Sequence, residues 1–236
     1  MRAFSSSDLL DLWERGFALL PLDRGLLALS AALPEVPPGS LADWPLGRRN
    51  QALVELHCSC FGPSLQGWTA CAGCGEKMEF EMDGRVLAKQ QADSGCLDAT
   101  VVVKGQSFRL PSSRDLADAA GQSDSRAAAI HLLERCRASA GEPFTWSEED
   151  VEEAGEQMAL ADPLAEIRVA LRCPACGNES AETLDIVSFL WGEIQARAKR
   201  LLWEVHAIAS VYGWTESEVL SLSPARRAHY LEMVQA

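Results

Sequence analysis

The side chains best suited to chemistry are cysteines, and four of the eight stand in two matching turns. Both turns have the pattern Cys-x-x-Cys-Gly: Cys71-Ala-Gly-Cys74-Gly75 and Cys173-Pro-Ala-Cys176-Gly177. Two residues between the cysteines allow one tight turn to point both sulfurs at a single metal ion, and the glycine permits a positive φ. Two such turns supply the closed tetrahedral ligand set of a structural zinc site. The predicted zinc ligands are Cys71, Cys74, Cys173 and Cys176.

Other chemistry for these four thiols fits the pattern less well. A thioredoxin-like redox site needs one Cys-x-x-Cys at a helix N-terminus and does not predict a second pair. A catalytic zinc site keeps an open coordination position and usually has histidine or carboxylate ligands. An iron site, either a [4Fe–4S] cluster or a rubredoxin-like centre, matches the ligand count and is not excluded by the sequence.

The distance between the two turns predicts a zinc ribbon that is split by an insertion. Ninety-eight residues lie between Cys74 and Cys173, against about 15–20 in compact four-cysteine sites. The entropic cost of closing a loop grows only logarithmically with its length, so one shared site remains feasible. Residues 100–103 and 107–110 have the pattern of a hairpin, and residues 114–120, 125–138 and 147–160 that of helices. We therefore expect a split ribbon over residues 64–185 with a helical insertion at about 112–162.

Strand-like sequence surrounds both turns, and helical sequence precedes and follows the ribbon. Strands are predicted at residues 79–82, 165–171 and 180–184, with residues 68–75 forming one compact turn. In the N-terminal region, residues 1–63, helices are predicted from Ser5 to about residue 20, from Pro21, and over residues 46–60. The C-terminal region, residues 186–236, begins with a long helix that ends at Gly213. The expected fold is α+β and predominantly helical, in one compact unit.

The remaining cysteines and the histidines have no partner at ligand spacing. Cys58, Cys60, Cys96 and Cys136 belong to no second knuckle pattern, and free cysteine commonly behaves as a small buried hydrophobe. The histidines are dispersed over four helical stretches: His57, His131, His206 and His229. These residues are predicted to be structural.

Composition and charge restrict the class of function. The chain has 236 residues, 47% of them hydrophobic, which is typical of a globular protein. Its net charge of −13 disfavours binding to nucleic acid or to anionic membranes, because both require a basic surface. The sequence contains no nucleophile elbow, phosphate loop, dinucleotide fingerprint or His-Glu-x-x-His motif. Because these catalytic motifs are missing, we expect a non-enzymatic protein. Because no apolar signal segment is predicted, we expect it in the cytoplasm.

Motifs spread over nearly the whole chain form a pattern of their own. They are LWERG (12–16), LGRR (46–49), FGP (61–63), both cysteine turns, the second within LRCPACG (171–177), DIVSFLW (185–191), EVH (204–206), YGWTE (212–216), LSPARR (222–227) and YLE (230–232). In these motifs the chain resembles the T4-type phage base plate protein family, which also occurs in gene clusters for contractile injection systems.

The resemblance implies a non-enzymatic part in building a contractile tail. The protein would be a baseplate component or an assembly factor, with other baseplate or tail proteins as partners, in the cytoplasm or within a phage-tail-like particle. Two alternatives stay open: a zinc-ribbon regulatory protein that binds nucleic acid, which the net charge disfavours, and a thiol oxidoreductase.

Overall fold

The computed structural model describes residues 1–93, 99–138 and 145–235, and its N-terminal part is helical. The helices are α1 (Ser6–Gly16), α2 (Pro21–Ala32), α3 (Pro38–Leu41) and α4 (Leu46–Phe61). The predicted start of α1 after Ser5 is confirmed, and a capping box stabilises it. Ser5 Oγ accepts the Asp8 N–H at 3.1 Å, and the Asp8 carboxylate accepts the Ser5 N–H at 2.9 Å.

Helix α1 ends four residues earlier than predicted. Pro21 opens α2, and the residue before it, Leu20, is extended with φ −70° and ψ 157°, because proline disfavours a helical conformation at the preceding residue. The guanidinium of Arg24 donates to the last carbonyls of the turn, those of Gly16 and Phe17, both at 3.0 Å. Phe17 and Leu20, which continue the apolar spacing of α1 in the sequence, lie beyond its end and are both exposed.

The first cysteine turn lies at the tip of a hairpin. Strand β1 (Ser64–Ala70) pairs antiparallel with β2 (Lys77–Asp83). The prediction of one compact turn over residues 68–75 is wrong for its first three residues, because Trp68 pairs with Glu79 and strand pairing continues to the residue before Cys71. Helix α5 (Gly84–Asp93), which the sequence pattern did not predict, follows β2 and packs against α4.

The insertion contains a second hairpin and three helices, as predicted. Its elements are β3 (Thr100–Val103), β4 (Gln106–Arg109), α6 (Ser113–Ala119), α7 (Ser125–Cys136) and α8 (Glu148–Ala161). Strands β3 and β4 share a hydrophobic core with α7 and α8, which includes Val101, Phe108, Leu133, Cys136, Trp146 and Met158. Helix α8 begins with a capping box, with Ser147 and Asp150 as its two members.

Both ends of the helical part of the insertion, residues 112–162, are hydrogen-bonded to the start of α4. At the leading end, the carbonyl of Pro111 accepts the N–H of the first residue of α4 at 3.0 Å. At the trailing end, the Asp162 carboxylate accepts the Gly47 N–H at 2.8 Å, and the Asn50 amide donates to the Leu164 carbonyl at 2.7 Å. The helical part of the insertion therefore begins and ends beside the start of α4.

The second cysteine turn lies at the tip of a hairpin with the same register as the first. Strand β5 (Ile167–Arg172) pairs antiparallel with β6 (Glu179–Leu184). When Cys173 is aligned with Cys71, the pair Ile167–Leu184 coincides with the pair Leu65–Met82. The repeat in the chain thus extends beyond the two cysteine turns to whole hairpins.

A long helix connects these parts in the main core. Helix α9 (Ile186–Tyr212) is followed by α10 (Glu216–Ser221) and α11 (Pro224–Gln235). As predicted, Gly213 ends α9 in the left-handed conformation, with φ +68°. Buried residues of α1, α2, α4 and α9 form the main core together with Leu65 of β1 and Ile167 of β5. The base of each cysteine-bearing hairpin is therefore held in this core.

A buried ion pair fastens α11 to the rest of the fold. Arg227 is 1% exposed and donates to the Glu204 carboxylate of α9 at 2.9 Å and to Ser6 Oγ at 3.1 Å. The predicted fold class is confirmed, since the chain is α+β, mostly helical, with small hairpins and a long C-terminal helix. Over the described residues, none of the helices combines the length and hydrophobicity needed to cross a bilayer.

Candidate metal centre

The first cysteine turn, residues 71–76, is a hydrogen-bonded loop that we call the first knuckle. The Cys71 N–H donates to the Glu76 carbonyl at 2.8 Å, and the Gly75 N–H donates to the Cys71 carbonyl at 2.8 Å. Gly75 has φ +76°, a conformation that costs an L-residue with a Cβ about 1–2 kcal/mol. The glycine after the second cysteine is therefore required by the backbone, as predicted.

The second knuckle, residues 173–178, repeats this geometry. The Cys173 N–H donates to the Asn178 carbonyl at 2.8 Å, and the Gly177 N–H donates to the Cys173 carbonyl at 2.9 Å. The φ of Gly177 is +75°. Two loops that are far apart in sequence thus present their cysteines on the same local scaffold.

The two knuckles bring all four predicted ligands together. Sγ of Cys71 lies 3.7 Å from Sγ of Cys176, and Sγ of Cys74 lies 3.6 Å from Sγ of Cys173. All four sulfurs lie within 4.8 Å of one another. A tetrahedral site with zinc–sulfur bonds of about 2.3 Å has sulfur–sulfur edges of about 3.8 Å. The spacing therefore matches a tetrahedral metal site and is too long for disulfides, whose sulfurs are about 2.05 Å apart.

The electrostatics of the cluster also favour a bound cation. The N–H groups of Gly73 and Cys74 lower the pKa of the Cys71 thiol to about 7. Although the Glu76 N–H favours the Cys74 thiolate, the sulfurs of the second knuckle raise the pKa of Cys74 to about 12. Four thiolates at this spacing repel one another, and a divalent cation removes that conflict because metal binding and ligand deprotonation are coupled.

The donor set restricts which metal the cluster suits. Four thiolates are soft ligands that select zinc or iron over magnesium or calcium. Cys71 and Cys173 are buried beside Met78 and Leu171, whereas Cys74 and Cys176 are exposed. Within residues 1–93, 99–138 and 145–235, this is the one group of three or more potential metal-binding side chains. The cluster can hold a metal ion and is consistent with zinc.

The other described cysteines lie away from the cluster. Cys136 is fully buried in the core of the insertion, where burial raises the pKa of its thiol to about 11. Cys60 is half-buried, and its sulfur accepts the Phe4 N–H at 3.4 Å. Cys58 is half-buried and packs against the main core. Cys96 lies outside the described residues.

His57, which precedes Cys58 in the sequence, does not lie at the cysteine cluster. Its ring is buried in α4 between Phe61 and Phe189, with centroid distances of 5.6 and 5.3 Å. Burial lowers the pKa of His57, which favours the neutral ring. It packs as a core side chain.

One cleft was not predicted, because its residues come from four separate segments. It has a volume of about 490 Å³ and lies between the start of α4 and the insertion. Arg109 and Arg135 pair with the buried Asp115 at 2.6 and 3.1 Å, and Arg114 pairs with Asp43 at 2.7 Å. Since each guanidinium has a carboxylate partner, the network holds the insertion in place and offers no open anion site.

The chain has no match among protein-family models, curated proteins or solved structures. The resemblance to the T4-type base plate family therefore rests on the sequence motifs alone. The four-sulfur cluster rests on the geometry described above.

Proposed function

We propose that this protein is a non-enzymatic structural or assembly component of a contractile phage tail or injection-system baseplate, and that a zinc ion closes its fold. The motifs from residues 12–16 to residues 230–232 support the baseplate assignment. Other baseplate or tail proteins would be its partners.

The arrangement of the four sulfurs carries the structural part of this proposal. Each knuckle contributes two sulfurs at distances that match the edges of a tetrahedron. Four thiolates fill the coordination sphere of zinc and leave no position for water or substrate. When bound, the metal would connect two hairpins from distant parts of the chain. Cys71, Cys74, Cys173 and Cys176 would hold it.

The surface of the C-terminal region supports a role in protein contacts. Helix α9 exposes four large apolar side chains in its C-terminal half: Leu202, Trp203, Val211 and Tyr212. Two of the motifs that carry the family resemblance are found here: residues 204–206 lie in this half of α9, and residues 212–216 begin at its last residue. Aromatic residues on protein surfaces are frequent anchors of interfaces.

Affinity purification from cells that carry a contractile-tail gene cluster tests the proposal. The tagged wild-type protein should recover baseplate or tail proteins that are missing from an untagged strain. Trp203→Ala should reduce that recovery, whereas Leu160→Ala, which truncates an even more exposed apolar side chain on α8, should not. If the wild-type protein recovers no tail protein, and deletion of its gene leaves tails with normal baseplates in electron micrographs, the proposal is wrong.

A further inference from the structure

The two cysteine-bearing hairpins share a backbone register but differ on their outward faces. With the knuckles aligned, Trp68 and Glu79 of the first hairpin occupy the positions of Ala170 and Ala181 in the second. Trp68 is 65% exposed. Because alanine stands at the equivalent position of an equivalent hairpin, the knuckle does not need a large side chain there.

The outward face around Trp68 is acidic along β2. Glu79, Glu81 and Asp83 alternate along the strand, and all three are exposed. Asp83 is paired with Arg85 at 2.8 Å. The Glu81 carboxylate accepts hydrogen bonds from two neutral side chains of β1, a hydroxyl at 2.6 Å and an amide at 3.3 Å. These bonds lower the pKa of Glu81. Among the residues that the structure describes, no lysine or arginine pairs with this carboxylate.

The ring of Trp68 already receives a cation from its own hairpin. Lys77 Nζ lies 5.5 Å from the centre of the Trp68 ring and 2.8 Å from the Glu79 carboxylate. An ammonium or guanidinium can therefore lie over this ring and contact a neighbouring carboxylate at the same time. The Lys77 side chain is itself half-exposed, so a cation from another molecule can compete with it.

A groove connects these groups. It has a volume of about 460 Å³ and is lined by four outward-facing side chains, with Gly67 and Phe80 lying between them along the strands. The four outward-facing residues, which we call the Trp68 face, are Gln66, Trp68, Glu79 and Glu81. Extended segments bind along hairpins of this kind with alternate side chains directed at the surface.

We propose that the Trp68 face docks a basic, extended segment of a partner protein. An arginine or lysine of that segment would lie over the Trp68 ring, and its neighbours would pair with Glu79 and Glu81. The charge of the face matches this occupant, and an acidic segment or a phosphate backbone would be repelled. This inference does not depend on the tail-assembly proposal, because it follows from the hairpin alone.

Fluorescence anisotropy with the full-length, metal-loaded protein tests the inference. The probe is a short labelled peptide with arginine at every second position, and the comparison ligands are the same peptide with glutamate and a single-stranded oligothymidine. The arginine peptide should bind, more tightly at low than at physiological ionic strength. Trp68→Ala should weaken that binding by about five- to thirtyfold. The melting temperature should stay unchanged, as expected from alanine at the equivalent position of the second hairpin.

A charge-matched control separates docking from general attraction to an acidic protein. The double variant Glu79→Gln, Glu81→Gln should weaken binding by about tenfold or more. Glu152→Gln with Glu153→Gln removes the same charge from α8, where both side chains are exposed, and should leave the affinity unchanged. Equal losses in the two double variants, an unchanged affinity in Trp68→Ala, or tighter binding of oligothymidine would each overturn the proposal.

Discussion

Removal of the proposed metal ion should lower the thermal stability of this protein by a predictable amount. The two hairpin tips meet at the cysteine cluster, where Cys71 and Cys173 pack with Met78 and Leu171. A metal shared by the two knuckles closes a loop of 98 residues between Cys74 and Cys173. If the metal is treated as a crosslink, the chain-entropy relation gives about 4.7 kcal/mol for a loop of about 100 residues.

That free energy converts to a shift that calorimetry resolves easily. In a chain of about 150–250 residues, each kcal/mol changes the melting temperature by about 2–4 °C. Loss of the metal should therefore lower the melting temperature by about 10–20 °C. Chelation should also expose the four ligand thiols to a thiol reagent, because sulfur in a filled coordination sphere is protected.

The assay combines elemental mass spectrometry, thiol counting and scanning calorimetry on the purified protein. We expect one zinc ion per chain, and an absorption spectrum in the visible region would instead identify iron. Cys71→Ser should lose the metal and show no further shift with chelator. Cys136→Ala, which truncates a buried thiol in the insertion, should lose stability but keep the metal. A protein that loses its metal without any change in melting temperature would refute the reasoning.

Three further predictions concern a turn, a buried ion pair and an acid-sensitive contact. Gly75→Ala, at φ +76°, should lower the free energy of unfolding by about 1–2 kcal/mol. Gly155→Ala, in open space on α8, should raise it by up to about 1 kcal/mol. Urea titrations in which both variants change the free energy of unfolding in the same direction would contradict this. Arg227→Ala leaves its partner carboxylate buried and should lower the free energy of unfolding by about 3–5 kcal/mol. Arg200→Ala, which removes an exposed side chain, should lower it by at most about 1 kcal/mol. Similar losses of stability in the two variants would argue against a special role for the buried pair. The ammonium of Lys104, in the turn between β3 and β4, holds the pKa of Asp150 at about 2. The stability from this contact is therefore complete above the pKa of about 3.9 that the group has in the unfolded chain, and it is lost as the pH falls through 2. Asp150→Asn should flatten that part of the stability profile measured by circular dichroism, and an unchanged profile would count against the contact.

The four-cysteine cluster was predictable because its signals are local. Two residues between cysteines and a following glycine describe one knuckle completely, and the same pattern recurs in the second. Helix starts were predictable for the same reason, since Ser5 and Asp8, or Ser147 and Asp150, satisfy each other within one turn. That the two knuckles meet at one site was inferred from the number of cysteine ligands that a tetrahedral site needs. No sequence pattern indicated a contact between them.

The parts that were missed depend on contacts between distant segments. Helix α5 has only a short apolar stretch of its own and is supported by packing against α4. The end of α1 is decided by Pro21 and by the guanidinium of Arg24, not by the hydrophobic period that continues to Leu20. Asp162 contacts the start of α4 across 115 positions of sequence, and a buried carboxylate in that role leaves no local signature.

The split of the ribbon also has a consequence during synthesis. Ninety-eight residues separate the second cysteine of the first knuckle from the first cysteine of the second. At about 5–20 residues per second, a ribosome needs about 5–20 s to add them. During that interval the emerged pair has only half of its ligand set, and the main core still lacks α9. The four-sulfur cluster is thus completed only after the second knuckle has emerged, so the supply of the proposed zinc ion and a reducing environment at that moment should govern the yield of correctly folded protein.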